Sequence, residues 1–590
     1  MAKEGYNTTN YRISDIYQGG YSSLAPPSES YISAGSLGMT TDPRSANIIQ
    51  EVSTKLSSGA KHIEVEGVSP EIFDSIPKQH FKEVNRMAKL TGINVSLHGP
   101  VIDVSGIDQR SGFSESNREA AERKVVETLL RSHELNPDGN MTVNFHSSEG
   151  IPGSEFLPPS KRKEKDEYQR LIVVNKESGK LSPLEHKEEY SPNRAEPTKF
   201  TPEMRINSLN KTEWDNQISQ LILSKERADE ILENNRPFVE HILPGIMSGK
   251  YHVEDLDETQ RTRYRHFQNA NTYLEDIHDN ISSLYNKAQQ FGDQKQKETL
   301  GAFAEDFRKK VKENPGIFSY SEAMGDFVHQ LRFPDIVPQM YAPIEDFATE
   351  QSAKTFGNAA WQGYKQFKDK APVLVIENPP AGHALSTGED IKNIVEASRK
   401  QFVQNAVAGG MSEREAERNA EKFIGATWDV GHINMLRKYG YSEEEIAKEA
   451  EAVAPLIKHV HLSDNFGYEH TELPMGMGNV PLNEIMKKLG EKGFEATKII
   501  EAGNWWQHFR TSPMQESLEA MGSPIYGMKM APYWNQAPGL YQGYMSGNEG
   551  NWLPQTNYET FGTTFSRLPK ELGGQIPGSQ GSRMSGRPME

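Results

Sequence analysis

The chain has 590 residues, of which 25% are charged, a net charge of −17, 35% hydrophobic residues and no cysteine. Without cysteine there are no disulfides, thiolate ligands or thiol nucleophiles, so any transition-metal site must rest on His and carboxylates; the acidic balance weighs against a dedicated DNA-binding protein, which gains affinity by releasing phosphate counterions with Lys and Arg. No apolar run approaches the ~20 residues needed to span a bilayer, and Met1–Asn7 lacks a charged-then-apolar signal pattern, so a cytoplasmic protein with no membrane attachment is expected.

The length predicts one large domain with insertions, or several domains. Residues 1–29 are polar, with Gly19-Gly20 and Pro26-Pro27, and read as an extended arm. From there strand and helix alternate. Ile32–Gly38 predicts a first strand, followed by a helical pattern through Ile48, Ile49, Val52 and Leu56. Lys61–Glu66 predicts a second strand and Phe81–Leu90 a helix. Gly92–His98 predicts a third strand and Glu119–Leu135 a helix with apolar Val125, Val126, Leu129 and Leu130. Met141–His146 predicts the fourth strand, closing a first half-barrel over 30–149.

The rhythm breaks over 150–370. Lys161–Asp166 and Glu185–Glu189 are runs of mixed charge in a breaker-rich stretch and read as a solvated loop. From Lys211 to Lys310 the periodicity is helical, through Ile218, Leu221, Ile222 and Ile231, predicting a helical insertion with a core of its own, packed on the barrel. Alternation resumes over 371–523. Ala371–Glu377 is the fifth strand, followed by a long helical stretch with a small insertion near 409–421. Thr427–Val430 is the sixth strand, His459–Leu462 the seventh and Thr497–Glu501 the eighth, with helices at Glu443–Ile457 and Leu482–Leu489. Residues 524–590 are rich in Gly, Pro, Tyr and Asn and read as an irregular tail. The fold class predicted is α/β: a (β/α)8 TIM barrel interrupted after strand four by a large, mainly helical insertion, with irregular terminal extensions.

Candidate metal-binding side chains lie at the ends of these strands: His98, His146, Glu377, Asp429 with His432, His461 and Glu501, joined by the loop pair His470 and Glu472. A parallel barrel gathers the carboxyl ends of its strands on one face. One such residue is often a hydrogen-bonded structural group. Their recurrence over six of eight strands points instead to metal chemistry.

The order Leu97-His98-Gly99-Pro100, Asn144-Phe145-His146, Ile376-Glu377-Asn378, Asp429-x-x-His432, His461-Leu462-Ser463-Asp464-Asn465, Gly476-Met477-Gly478 and Ile500-Glu501 resembles the superfamily of endonuclease IV and the xylose-isomerase-like sugar isomerases and epimerases. The resemblance spans strands three to eight and implies up to three zinc ions. His98, His146 and Glu377 would form one position. Glu377, Asp429, His461 and Glu501 would form a central one, with Glu377 bridging. His432, His470 and Glu472 would form a third, where the family's Asp-x-His pair reads His470-Thr471-Glu472.

Two chemistries run on this frame. A multinuclear zinc site makes a phosphoester hydrolase, and the presence of His98 and His146 leans that way. A single manganese or magnesium at the central position makes a sugar or sugar-phosphate isomerase or epimerase, with a carboxylate moving the proton. Glu377, Glu501 and His432 are the catalytic candidates in either. Val101 stands where endonuclease IV has an aromatic that enters the DNA stack, so a small phosphorylated or sugar substrate is expected before DNA. The His461–Asn465 run followed by Leu473–Gly476 is closer to the sugar-isomerase-like members. A barrel kept as a non-catalytic scaffold is the third reading, and the oligomeric state is open.

Overall fold

A computed structural model describes residues 37–521, apart from 58–59, 164–165, 191–195, 334–335 and six positions between 504 and 511. The predicted arm, the tail and the first five residues of the predicted first strand lie outside the described residues. Eight parallel strands close a barrel: β1 (Leu37–Thr40), β2 (His62–Glu66), β3 (Asn94–His98), β4 (Thr142–His146), β5 (Val373–Glu377), β6 (Ile424–Asp429), β7 (Ile457–Leu462) and β8 (Thr497–Ile500). β1 pairs with both β2 and β8, which seals the ring. The described part of the first strand ends at Thr40, beyond the predicted end at Gly38.

Strands of a parallel barrel are buried on both faces and usually read as continuous apolar runs. Here one face departs from that rule. Ile63, Val65, Leu97, Val143, Phe145, Leu374, Ile376, Trp428 and Val460 are buried, and alternate with equally buried Glu64, Ser96, Asn144, Glu377, Thr427, Asp429, His459 and His461. Successive side chains of a strand point to opposite faces. The apolar set therefore packs under the helices, while the polar set lines the barrel interior.

The connecting helices differ from the predicted spans: Lys78–Thr91 and Leu482–Glu495 are longer, Glu115–Ser132 starts and ends earlier, and Glu443–Val453 stops short of the predicted Ile457. Gly92 ends the first of these in the left-handed region, at φ 69°, a conformation that costs glycine nothing. The predicted small insertion near 409–421 is the helix Glu413–Phe423, which leads straight into β6. The crossover from β4 to β5 ends in the helix Ile344–Phe367, packed against Glu115–Ser132 and Gly388–Ala408.

Glu345, in the first turn of that helix, is buried and accepts the Ser154 backbone N–H (2.6 Å) and hydroxyl (2.9 Å). Burial, with nearby Asp390 adding to it, pushes its carboxyl up to about 8. A raised folded-state value favours the neutral form. The associated stability is present below the unfolded-state range, near 4.5, and is lost as pH climbs toward 8. Glu345→Gln should therefore flatten the fall in urea-unfolding free energy between pH 5 and 8.5. An unchanged slope would contradict this.

Val173–Pro343 forms a second compact unit. The stretch read as a solvated loop contains strands: Tyr168–Asn175 and Leu181–Glu185 pair, and Lys187–Glu189 pairs antiparallel with Thr198–Phe200. The charged side chains alternate along exposed ribbon, so a charge run carried no sign of backbone pairing. The helices Pro202–Asn234, Glu258–Phe291, Gln294–Glu313 and Ile317–Gln330 then enclose a core of Trp214, Ile218, Leu221, Leu274, Leu300 and Met324 among others. Glu258–Phe291 and Gln294–Glu313 start with capping boxes on Asp257 and Asp293, which satisfy the first free N–H groups. Trp214 is fully buried, and its indole N–H donates to Leu331 O at 2.9 Å. Trp214→Ala should cost this unit about 3–5 kcal/mol, read as early loss of its helical signal in thermal unfolding. A shift under about 1 kcal/mol would show the core to be elsewhere.

Candidate metal centre

Strand register brings the candidate ligands to one level. Glu377 stands opposite His146, Asp429 opposite His461, and Glu66 opposite His98. A register shift between Ala426 and Thr427 sets Asp429 at that height. Glu501 follows β8 directly, its N–H bonded to Leu462 O at 3.0 Å.

His461 sits at the centre. Its Nδ1 lies 2.9 Å from Glu377 Oε1 and 3.0 Å from Glu501 Oε2. Glu377, Asp429, His461 and Glu501 each present one ligand atom, all within 4.8 Å of one another. The other oxygen of Glu377 faces elsewhere. Oε2 is 3.3 Å from His98 Nε2 and 3.6 Å from His146 Nε2, and it accepts the Asn144 amide. His98, Glu377 and His461 also meet within that 4.8 Å limit.

Asp429 caps the short helix Val430–Asn434. Its Oδ1 accepts the Gly431 N–H (2.6 Å) and the His432 N–H (2.8 Å), and Ser463 donates to it at 3.1 Å. His432 contacts Asn378 O through Nδ1 at 2.7 Å, which places the proton there and leaves Nε2 as the bare nitrogen. That Nε2 is 2.8 Å from His470 Nε2 and 3.8 Å from Asp429 Oδ2, while Glu472 Oε1 is 3.7 Å from His470 Nε2. His470 and Glu472 thus reach the rim beside His432, outside the four-donor group. Gly476-Met477-Gly478 is a turn wrapped on a carboxylate, since Asp464 Oδ2 accepts both glycine N–H groups at 2.8 and 2.9 Å.

The electrostatics are those of trapped negative charge. Burial alone would raise Glu377, but the imidazoles of His461 and His146, with hydrogen bonds from His461 and His98, hold it well below the usual carboxylate range. Burial works against a charged His461, yet Glu377, Glu501 and Glu64 hold its imidazole well above its ordinary value. His98 overcomes burial in the same way, through Glu377 and Glu66, and rises to about 10. Burial drives Glu501 well up and Glu66 to about 8, despite nearby imidazoles. His432 goes the other way, lowered to about 4 by burial. The ion-pair contacts of Glu377, Asp429 and Glu501 among the described residues are all to histidines.

A divalent cation fits this set. Glu501 Oε2 is buried and makes no aligned hydrogen bond, despite its closeness to His461, and a buried polar oxygen is costly unless it is paired or ligating. Three hard carboxylates with one borderline imidazole make an oxygen-rich set of the kind that magnesium and manganese take, with zinc also accommodated.

Sequence reasoning passed over three interior residues. Glu64 and His459 meet at 2.9 Å, and Glu64, His459 and His461 present ligand atoms within 4.8 Å. Glu66 Oε1 is buried without a hydrogen-bond partner. The signal was available: His62-Ile63-Glu64-Val65-Glu66 alternates polar and apolar in a strand that a barrel buries on both faces.

Residues 412–522 match the xylose isomerase-like TIM barrel family. The match holds β6, β7 and β8, hence Asp429, His432, His461 and Glu501. The closed ring of eight parallel strands makes the fold a TIM barrel, and its last three strands are similar to that family. The chain is 34% identical over 83 residues to an uncharacterized protein of Methanocaldococcus jannaschii, a stretch that is 14% of this chain and 27% of that protein. Solved structures with similarity include a D-tagatose 3-epimerase-like protein, at 12% identity over 84% of this chain and 99% of that one, TM-score 0.37. Another is a D-psicose 3-epimerase of Clostridium cellulolyticum H10, at 9% identity over 83% and 99%, TM-score 0.35. Among the described residues, no helix is long and apolar enough to cross a membrane.

Proposed function

We propose that this xylose isomerase-like barrel is a divalent-metal-dependent isomerase or epimerase of a small sugar or sugar phosphate. The observation that carries the reading is the convergence of Glu377, Asp429, His461 and Glu501 within 4.8 Å, an oxygen-rich set suited to one manganese or magnesium ion. When bound, such an ion supplies a Lewis acid that polarises a carbonyl and its neighbouring hydroxyl. Glu377 and Glu501 approach that position from different strands, β5 and β8. One carboxylate takes the proton from the carbon beside the carbonyl, and the other returns it on the opposite face, which inverts that centre. His432, uncharged at neutral pH by burial, accepts a hydrogen bond through its bare Nε2 from a substrate hydroxyl at the rim.

A second reading, the phosphoester hydrolase, rests on one specific feature. His98 and His146 both face Glu377 Oε2, at 3.3 and 3.6 Å, which would let Glu377 bridge two zinc ions, with His432, His470 and Glu472 beside a third.

The deciding experiment is proton exchange in deuterated water. Manganese-loaded protein is incubated with a panel of ketoses and ketose phosphates, and proton NMR follows the carbon beside the carbonyl. Deuterium wash-in with formation of the epimer or aldose is expected. No exchange across the panel, together with zinc-dependent cleavage of bis(p-nitrophenyl) phosphate, would overturn it in favour of the hydrolase.

A further inference from the structure

Glu64 is a carboxylate at the heart of the barrel, wholly buried. An ionised side chain in such a place is expensive unless every lone pair is engaged. Glu64 Oε1 lies 2.8 Å from His461 Nε2. Oε2 accepts the Ser96 hydroxyl at 2.6 Å and is 2.9 Å from His459 Nε2. Ser96 is in turn 3.0 Å from His62 Nε2. β2 and β3 hold Glu64 level with Ser96, so the carboxylate is fixed before any ligand arrives.

We propose that Glu64 is the positioning residue of the metal centre, holding the His461 proton on Nε2 so that Nδ1 presents its lone pair upward to the ion. This rests on the metal-dependent reading above. The geometry has a direction. A carboxylate only accepts hydrogen bonds, so without an ion both ring nitrogens face acceptors, Nε2 on Glu64 and Nδ1 on Glu377; a cation at the four-donor position would displace only the hydrogen on Nδ1, while Glu64 keeps the one on Nε2. The opposite nitrogen, Nδ1, is the one that meets Glu377 Oε1 and Glu501 Oε2, at 2.9 and 3.0 Å.

The two other buried imidazoles among the predicted ligands are oriented differently. His98 Nδ1 contacts Gly99 O at 2.9 Å, and His432 Nδ1 contacts Asn378 O at 2.7 Å. Both lean on neutral carbonyls. His461 alone of the three leans on a carboxylate through its second nitrogen, and an anionic partner raises the basicity of a ligating imidazole more than a carbonyl does. The strongest imidazole donor thereby stands at the four-donor position. Ser96 donates to the far oxygen at 2.6 Å, which turns it away from the four-donor position.

The test uses the full-length protein and manganese alone. Glu64→Gln keeps the shape and removes the charge; Ser96→Ala keeps the charge and loosens its orientation. Calorimetric titration with Mn2+ should show Glu64→Gln weakened about 10–100-fold and Ser96→Ala weakened less, with thermal unfolding of the metal-free proteins checking the fold. Cobalt-substituted wild type should show a hyperfine-shifted, slowly exchanging imidazole N–H that moves or exchanges rapidly in both variants. Unchanged affinity and an unchanged N–H in either folded variant would overturn the role of Glu64. If wild type and His461→Ala bind Mn2+ alike, the metal reading itself fails, which is a separate outcome.

Discussion

Glu377→Gln should lose about 10²–10⁴-fold in turnover, the range for removing a positioned proton-transfer group, and should bind metal more weakly as well. Glu377 Oε1 meets His461 and its Oε2 faces His98 and His146, so one change of charge disturbs every group around the ion. Glu501→Gln separates the two effects. Glu501 contacts His461 alone among these imidazoles, so the metal should be held better than in Glu377→Gln while proton transfer is lost. Measured kcat and Mn2+ affinity for both variants check this. Equal losses of affinity with retained turnover in Glu501→Gln would remove Glu501 from the proton path.

The second large effect is on stability. The centre buries Glu377 and Asp429 fully and leaves the Glu501 side chain 15% exposed, with ion-pair contacts among the described residues to histidines alone. Ligand binding to the native state adds RT ln(1 + [L]/Kd), about 2.7 kcal/mol at a hundredfold excess over Kd and about 4.1 at a thousandfold. Chelation should therefore lower the thermal midpoint of the barrel, and added Mn2+ should restore it. The second unit, Val173–Pro343, carries none of these ligands, so its unfolding signal should not respond. A midpoint indifferent to chelator and metal would show that no ion contributes to folded-state stability.

Much of this architecture was legible in the residues. The eight strands were visible because short β-branched and apolar runs recur between amphipathic helices, and the ligands because His, Asp and Glu stand where those runs end. Boundaries were less so. Helices such as Lys78–Thr91 begin several residues before their first apolar position, since polar first turns carry no periodicity. Lys187–Glu189 escaped because an exposed ribbon pairs through backbone groups that charge patterns do not report. Glu64 and Glu66 escaped for another reason. They lie in the middle and at the end of a correctly placed strand, and their alternation with Ile63 and Val65 marked an interior polar face that a search of strand ends alone passes over. His470 and Glu472 were implied by the resemblance to the family's Asp-x-His pair, and the fold brings them to His432 and the rim, beyond the four donors that share one position.

The central claim is a single, oxygen-rich cation position made by Glu377, Asp429, His461 and Glu501. Metal stoichiometry tests it most directly. Elemental analysis and Mn2+ electron paramagnetic resonance on metal-free protein titrated with manganese should give one tight ion per chain, lost in Asp429→Asn. Two or three tightly held zinc ions per chain, or no ion retained at all, would contradict it.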